Sequence, residues 1–300
     1  MYHNPVLLKE SIEGLNIGPG GVYVDVTYGG GGHSQEILKK LTQGRLIGFD
    51  QDHDALTNKI DDERLILVNH NFRFLKNFLK YHNALPVDGI LADLGVSSHQ
   101  FDVAERGFSL RFPGKLDLRM NRNQKVTAAM LLNEYDRDKL VNIFRQYGEL
   151  PNAGAIASAI IKFRSAGRLI NFEDLKQALS HFPTPGRENK FYARVLQALR
   201  IEINQELDAL KDFLEQAPEV LKAGGRLVVI SYHSLEDRLV KNFFRSGNFK
   251  GIPEKDFFGN VRTPFKIINK KPIVPNEGEI SANNRSRSAK LRIAEKLINQ

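Results

Sequence analysis

From residue 21 to about residue 100, short apolar runs alternate with stretches whose apolar positions recur at helical spacing. The runs at 21–26, 45–50, 64–68 and 87–94 predict four strands. Between the first two, Ser34-Gln-Glu-Ile-Leu-Lys-Lys-Leu41 predicts a short helix. Strands spaced by helices of this length build a right-handed parallel α/β sheet. The rhythm then changes, and from about 104 to 207 there is almost no strand pattern. Helical faces replace it, at Ala128, Ala129, Leu131 and Leu132, then at Leu140, Ile143, Phe144 and Tyr147. Asn171 reads as the N-cap of a helix over Phe172–Phe182, which Pro183-Thr-Pro-Gly186 ends. Val195, Leu199, Ile203, Leu207, Leu210 and Leu214 predict one long helix after it. The sheet pattern resumes in Val220–Ser231, read as a helix end, a Gly224-Gly225 stop and a buried strand. The expected organisation is a discontinuous α/β domain, 1–103 and 205–300, interrupted by an all-helical domain over 104–204. Phe249–Pro275 is expected to be irregular, and Ala289–Glu295 alternates, fitting either a final edge strand or a helix.

Composition narrows the setting. A chain of 300 residues with 41% hydrophobic content can bury a substantial core. No apolar run approaches the roughly 20 residues of a membrane-spanning helix. The amino-terminal segment lacks the basic-then-apolar plan of a secretion signal, and there are no cysteines for disulfides or thiolate zinc sites. The scattered histidines form no metal-ligand spacing. A soluble, cytoplasmic protein without a metal is the expectation. The net charge is +8, concentrated toward the carboxyl end, where residues 262–300 hold nine Lys or Arg against three Glu. Such a region reads as a footprint for phosphates, with a solvated basic tail as the plainer alternative.

The densest chemistry lies in Val22-Tyr-Val-Asp-Val-Thr-Tyr-Gly-Gly-Gly-Gly-His33, followed one βα unit later by Asp50 at the end of Arg45-Leu-Ile-Gly-Phe-Asp50. Glycines admit close backbone approach to a ligand, and a carboxylate ending the next strand suits ribose hydroxyls. A phosphate-binding P-loop is excluded because no lysine follows the glycines. A dinucleotide fingerprint started at Gly29 or Gly30 meets Ser34 or Gln35 where its third glycine belongs. The remaining reading is a loop around S-adenosylmethionine, which carries no pyrophosphate.

Several longer segments resemble the S-adenosylmethionine-dependent methyltransferases that modify N4 of a cytidine in 16S ribosomal RNA, the RsmH or MraW family. They are His3-Asn-Pro-Val-Leu-Leu, Gly29-Gly-Gly-Gly-His-Ser34, Asp88–Ser98, Glu105-Arg-Gly-Phe-Ser109, Leu116-Asp-Leu-Arg-Met120, Gln197-Ala-Leu-Arg-Ile201, Ser231–Arg238 and Arg287–Arg292. They run in order along nearly the whole chain. The resemblance implies a Rossmann-like class I methyltransferase sheet with an inserted helical substrate-recognition domain. It also implies cofactor contacts at Gly31, Gly32, His33, Asp50, Phe72, Asp93 and Gln100, and 16S rRNA, within the small ribosomal subunit, as the partner. One departure from the family pattern is Tyr147-Gly-Glu-Leu150, where a second glutamate is usual.

Asp93 ends the fourth strand and is the first candidate for accepting from the target amine, together with the backbone of Leu94–Ser98. His233, just beyond the fifth strand, is the second; a structural hydrogen bond is an equal alternative. Arg106, Arg111 and Arg119, with Arg285, Arg287 and Lys290, are candidate RNA contacts, some of which would be ordinary ion pairs. Three rivals are weighed. A nicotinamide oxidoreductase fails at the third glycine, and a non-catalytic RNA-binding assembly factor leaves the glycine turn and Asp50 without a job. An amine methyltransferase acting on DNA commonly shows Asp/Asn-Pro-Pro-Tyr where this chain reads Asp93-Leu-Gly-Val.

Overall fold

In the computed structural model, which describes residues 5–111, 114–259 and 261–298, the first strands stand where the apolar runs predict them. His3 and Asn4 of the amino-terminal motif lie outside the described residues. The chain divides into two compact units, one of residues 1–95 and 207–300 and the other of 96–206. The helical unit thus starts eight residues before the expected position 104.

The first unit is built on a seven-stranded sheet. Its strands are β1 (Val22–Asp25), β2 (Arg45–Phe49), β3 (Leu65–Val68), β4 (Val87–Asp93), β5 (Leu221–Ser231), β6 (Phe265–Ile267) and β7 (Lys290–Lys296). Their order is β3-β2-β1-β4-β5-β7-β6, with the first five parallel and β7 antiparallel to both of its neighbours. Val24, Ile47, Phe49, Ile90 and Val229 face one layer of helices, with Leu210, Phe213 and Phe243 packed on them. Tyr23, Leu46, Leu91, Val228 and Ile230 face the other, against Leu15, Ile37 and Leu38. A sheet covered on both faces needs apolar residues at every position, which is why these strands read as unbroken apolar runs. From β1 the chain goes outward through β2 to β3, then returns to place β4 and β5 on β1's other side. The crevice at this reversal, beyond the carboxyl ends of β1 and β4, is where open α/β sheets bind ligands.

Three expectations are corrected in this unit. Gly224 and Gly225 do not stop a helix: the helix ends at Val220, and the glycines form a bulge inside β5. Leu221 pairs with Val87, the register then shifts, and Gly224 takes a left-handed φ of 78°. Lys290–Lys296 is a strand but not the edge, because β6 lies outside it. Only three residues make up β6, so composition hides it; the Asn269 side chain continues the pairing by accepting from Ile293 N–H (2.7 Å) and donating to the Leu291 carbonyl (2.9 Å). The long helix expected through Val195–Leu214 is two helices, Glu188–Asn204 and Glu206–Val220, broken at Gln205 with φ 50°. Both helices bury their apolar stripes, so the periodicity runs through a break it does not encode.

The second unit is helical: Ser98–Asp102, Ala128–Glu134, Arg137–Gln146, Ala153–Ala166, Phe172–Ala178 and Glu188–Asn204. Asn171 caps the fifth of these as expected, accepting from Asp174 N–H while the Asp174 carboxylate accepts from Asn171 N–H. That helix ends at Ala178 rather than Phe182. Leu132, Leu140, Phe144, Ile160, Leu175, Val195 and Leu199 form the core of the unit. Buried Asn204 ties the last helix to the unit's irregular segment, accepting from Met120 N–H and donating to the Leu118 carbonyl, both at 2.8 Å. Among the described residues no helix is long and apolar enough to cross a membrane.

Candidate active site

Three aspartates end neighbouring strands at the crevice: Asp25 on β1, Asp50 just after β2 and Asp93 on β4. Each of these aspartates follows the apolar stretch of its strand and marks where the chain leaves the core.

Asp25 is 1% exposed, and no ligand role is needed to explain it. Its Oδ2 accepts from Ser34 Oγ (2.7 Å) and its Oδ1 from Thr27 N–H (3.1 Å), so it holds both ends of the glycine turn. Burial raises its pKa. Sequence reasoning passed over it, although an acid ending the strand before a glycine turn is a visible signal.

Within the turn, Gly31 caps the helix Gly32–Lys40 with φ 75°. A Cβ there would lie 2.8 Å from Tyr28 Oη, and one on Gly32 would lie 2.3 Å from Pro5 Cγ. Packing within the protein therefore demands both glycines, independently of any ligand.

Asp50 accepts from Gly29 N–H through Oδ2 and from Asp52 N–H through Oδ1, both at 2.8 Å. The carboxylate is locked in place, and each oxygen keeps a further lone pair. Burial pushes its pKa up to about 7 despite the two N–H donors. Asn71 Nδ2, on the segment after β3, donates to Gln51 Oε1 (2.8 Å) and so brings Phe72 to the same strand ends. The half-buried Phe72 ring meets Phe213 edge-on at 5.5 Å.

Asp93 is held from three directions. Its N–H donates to Thr27 Oγ1 (2.6 Å), its Oδ1 accepts from Tyr232 Oη (2.8 Å), and its Oδ2 lies 3.8 Å from His33 Nδ1. Burial pushes its pKa up to about 7, with the charges of Asp25 and Glu236 adding to the rise. His33 is buried, and desolvation lowers its pKa to about 4, so its ring is neutral. Its Nε2 lies 3.1 Å from the Val6 carbonyl, which assigns the proton to Nε2 and leaves Nδ1 a bare acceptor facing Asp93. Tyr232, given no role of its own within the Ser231–Arg238 segment, has its hydroxyl pKa raised by burial and by the Asp93 carboxylate.

The structure brings Gly31, Gly32, His33, Asp50, Phe72 and Asp93 to one end of the first unit's sheet. Gln100 belongs to the helical unit, where it is buried and its Oε1 accepts from Ser97 N–H (3.1 Å) in a capping box. His233 makes a structural hydrogen bond, the equal alternative stated for it. Its Nδ1 takes Glu236 N–H (3.4 Å) as the N-cap of helix Ser234–Ser246, while Nε2 sits 3.1 Å from Glu236 Oε1, off a hydrogen-bonding line.

Two candidate RNA contacts are engaged within the protein. Arg106 is 1% exposed and donates through Nη2 to the carbonyls of Arg119 (3.0 Å) and Met120 (2.9 Å). Arg119 forms a bidentate pair with Asp117 (2.7 and 2.8 Å) and donates to the Gln124 carbonyl (2.5 Å). Burial pushes the Asp117 carboxyl up, but Arg119 outweighs it and holds the pKa below the ordinary value. Replacing Arg106 by alanine is expected to destabilise the helical unit by about 1–3 kcal/mol for each carbonyl left without a donor. Chemical denaturation measures this loss, and an unchanged midpoint would restore Arg106 as a surface candidate. Arg111 and Arg287 are exposed and Arg285 is half-buried; Lys290 lies 3.3 Å from Asp237 Oδ2.

The family model described as the MraW methylase family matches residues 1–297. The chain is 59% identical over 291 residues to ribosomal RNA small subunit methyltransferase H of Flavobacterium psychrophilum, covering 97% of this chain and 100% of that protein. It is 57% identical over 296 residues to the protein of the same name from Bacteroides thetaiotaomicron, covering 98% and 97%. Among solved structures, an rRNA methylase from Streptococcus thermophilus superposes with a TM-score of 0.43 at 12% identity, over 97% of this chain and 94% of that one.

Proposed function

Because this chain belongs to the MraW methylase family, we propose that it methylates N4 of a cytidine in the decoding region of 16S rRNA in the small ribosomal subunit, using S-adenosylmethionine. The observation that carries this reading is Asp93, fixed by Thr27 and Tyr232 at the β1/β4 switch point.

The donor set fits the cofactor. Asp50, pre-oriented by two backbone N–H groups, has lone pairs left for two ribose hydroxyls. Phe72 offers an apolar surface to adenine at the same strand ends. The neutral His33 ring adds no positive charge against a sulfonium. When bound, the cofactor supplies a methyl group already activated for transfer.

The protein's remaining task is alignment, because the cytosine amine is a weak nucleophile whose lone pair is conjugated into the ring. Orientation of this kind lowers barriers by roughly 7–11 kcal/mol. The Asp93 carboxylate accepts an N4 hydrogen, draws the lone pair out of conjugation and offsets the positive charge that develops on nitrogen. The helical unit is proposed to recognise the RNA, with the target base unpaired to reach the site.

A non-catalytic assembly factor is the second class of reading. Burying Asp50 and Asp93 at strand ends on either side of β1 raises both pKa values, a stability cost that a non-catalytic module has less reason to bear. Mass mapping of 16S rRNA after incubation with labelled S-adenosylmethionine tests the proposal, with free RNA and small subunits compared. One labelled cytidine N4 in the subunit is expected; label on DNA alone, on another atom, or nowhere would overturn it.

A further inference from the structure

On the outer part of the sheet, a cavity of about 220 Å³ opens between helix Ser234–Ser246 and the β6–β7 edge. Phe244 and Ile267 give it apolar walls, and Lys241, Arg245, Lys270 and Arg292 surround it. Of these four cations, only Arg292 has an acidic partner among the described residues, its Nε lying 2.7 Å from Asp237 Oδ1. Arg245 is braced by the Gly251 carbonyl (2.6 Å), which positions its guanidinium without neutralising it. Lys241 and Lys270 are exposed and, among the described residues, have no acid within ion-pair distance. Like charges gathered without counter-charge against a low-dielectric wall repel one another, and an anion relieves that repulsion.

The cavity is connected to the candidate site through β7. Lys290 pairs in register with Ser231, the residue before Tyr232, at the strand end where Asp93 is held. Arg292 lies two residues further along on the same face, and both side chains grip Asp237. The cations therefore form a strip that starts at the crevice and leads outward over the sheet edge to Lys270, Lys241 and Arg245. We infer that this strip is a docking groove for the phosphate backbone of the substrate RNA flanking the target nucleotide. The inference rests on RNA being the substrate. An RNA backbone is a line of single negative charges, which suits a strip where Lys290 and Arg292 share the one Asp237 carboxylate and Lys241, Arg245 and Lys270 have no acidic partner among the described residues.

The test is the double variant Lys241→Ala with Lys270→Ala in the full chain, assayed on small ribosomal subunits. Both side chains are exposed and outside the catalytic machinery, so cofactor affinity and kcat should stay as in the unmodified protein. The KM for subunits is expected to rise several-fold, and the slope of log affinity against log salt to fall by about two, one for each lost phosphate contact. The Lys→Arg pair should restore both values. Unchanged KM and salt slope would overturn the groove while leaving methylation intact. Absence of methylation by the unmodified protein would instead count against the functional reading itself.

Discussion

Replacing Asp93 by asparagine is expected to lower kcat by about 10²–10⁴-fold, the range over which a positioned proton acceptor contributes. The substitution is nearly isosteric, and the amide oxygen still accepts the Tyr232 hydroxyl, so the fold should change little. What is lost is the negative charge and the acceptor at Oδ2. The unmodified protein should also show a pH signature. Burial, opposed by the Tyr232 hydrogen bond and reinforced by Asp25 and Glu236, brings the Asp93 pKa to about 7. Only the ionised form accepts from the amine, so kcat/KM should climb through pH 7. At pH 6 about a tenth of the molecules carry the charged form. With S-adenosylmethionine saturating throughout, so that Asp50 does not contribute, the profile of the Asp93→Asn variant should be flat over this range. Steady-state kinetics from pH 5.5 to 8.5 decide it; a variant with undiminished kcat would remove Asp93 from the chemistry.

Asp50→Ala should weaken S-adenosylmethionine binding by about 10²–10⁴-fold, since each hydrogen bond to a charged group contributes roughly 1.5–3 kcal/mol and two ribose hydroxyls are in question. The loss also strands the N–H groups of Gly29 and Asp52, which now share the carboxylate. Asp50→Asn, keeping one oxygen acceptor, should fall between. Ribose hydroxyls donate to the ionised form, whereas burial holds the free carboxyl at about pKa 7. Binding should therefore release protons near neutrality, and affinity should improve from pH 6 to pH 8. The ligand-free protein carries the opposite linkage. Asp50 and Asp93 have folded pKa values raised from 3.8 to about 7, so the folded state binds more protons than the unfolded state between those limits. Their stabilising contribution is complete below about pH 3.8 and is lost as the pH rises through 7. Titration calorimetry in buffers of different ionisation enthalpy measures the proton release. Equal cofactor affinity in the Asp50→Ala variant and the unmodified protein would end the ribose assignment.

The amino-acid sequence by itself determined the parts of this protein that depend on local pattern. Apolar runs located β1 to β4, helical periodicity located the inserted unit, and the glycine turn with Asp50 located one end of the site. Each follows from which face of a segment is buried, and that information is written within ten or so residues. Only the tertiary structure decided what those faces meet. Tyr232 and Asp93 are 139 positions apart in the chain, and nothing near either residue announces the hydrogen bond between them. Arg106 looks like a surface arginine until two backbone carbonyls enclose it, and β6 is invisible until the Asn269 side chain extends it. The break at Gln205 leaves no trace in an apolar stripe that both helices bury. Lys241 on a helix and Lys270 beyond a three-residue strand become neighbours only because β7 runs back between β5 and β6. Burial is encoded by each residue's own hydrophobicity, whereas pairing depends on how the whole chain returns on itself.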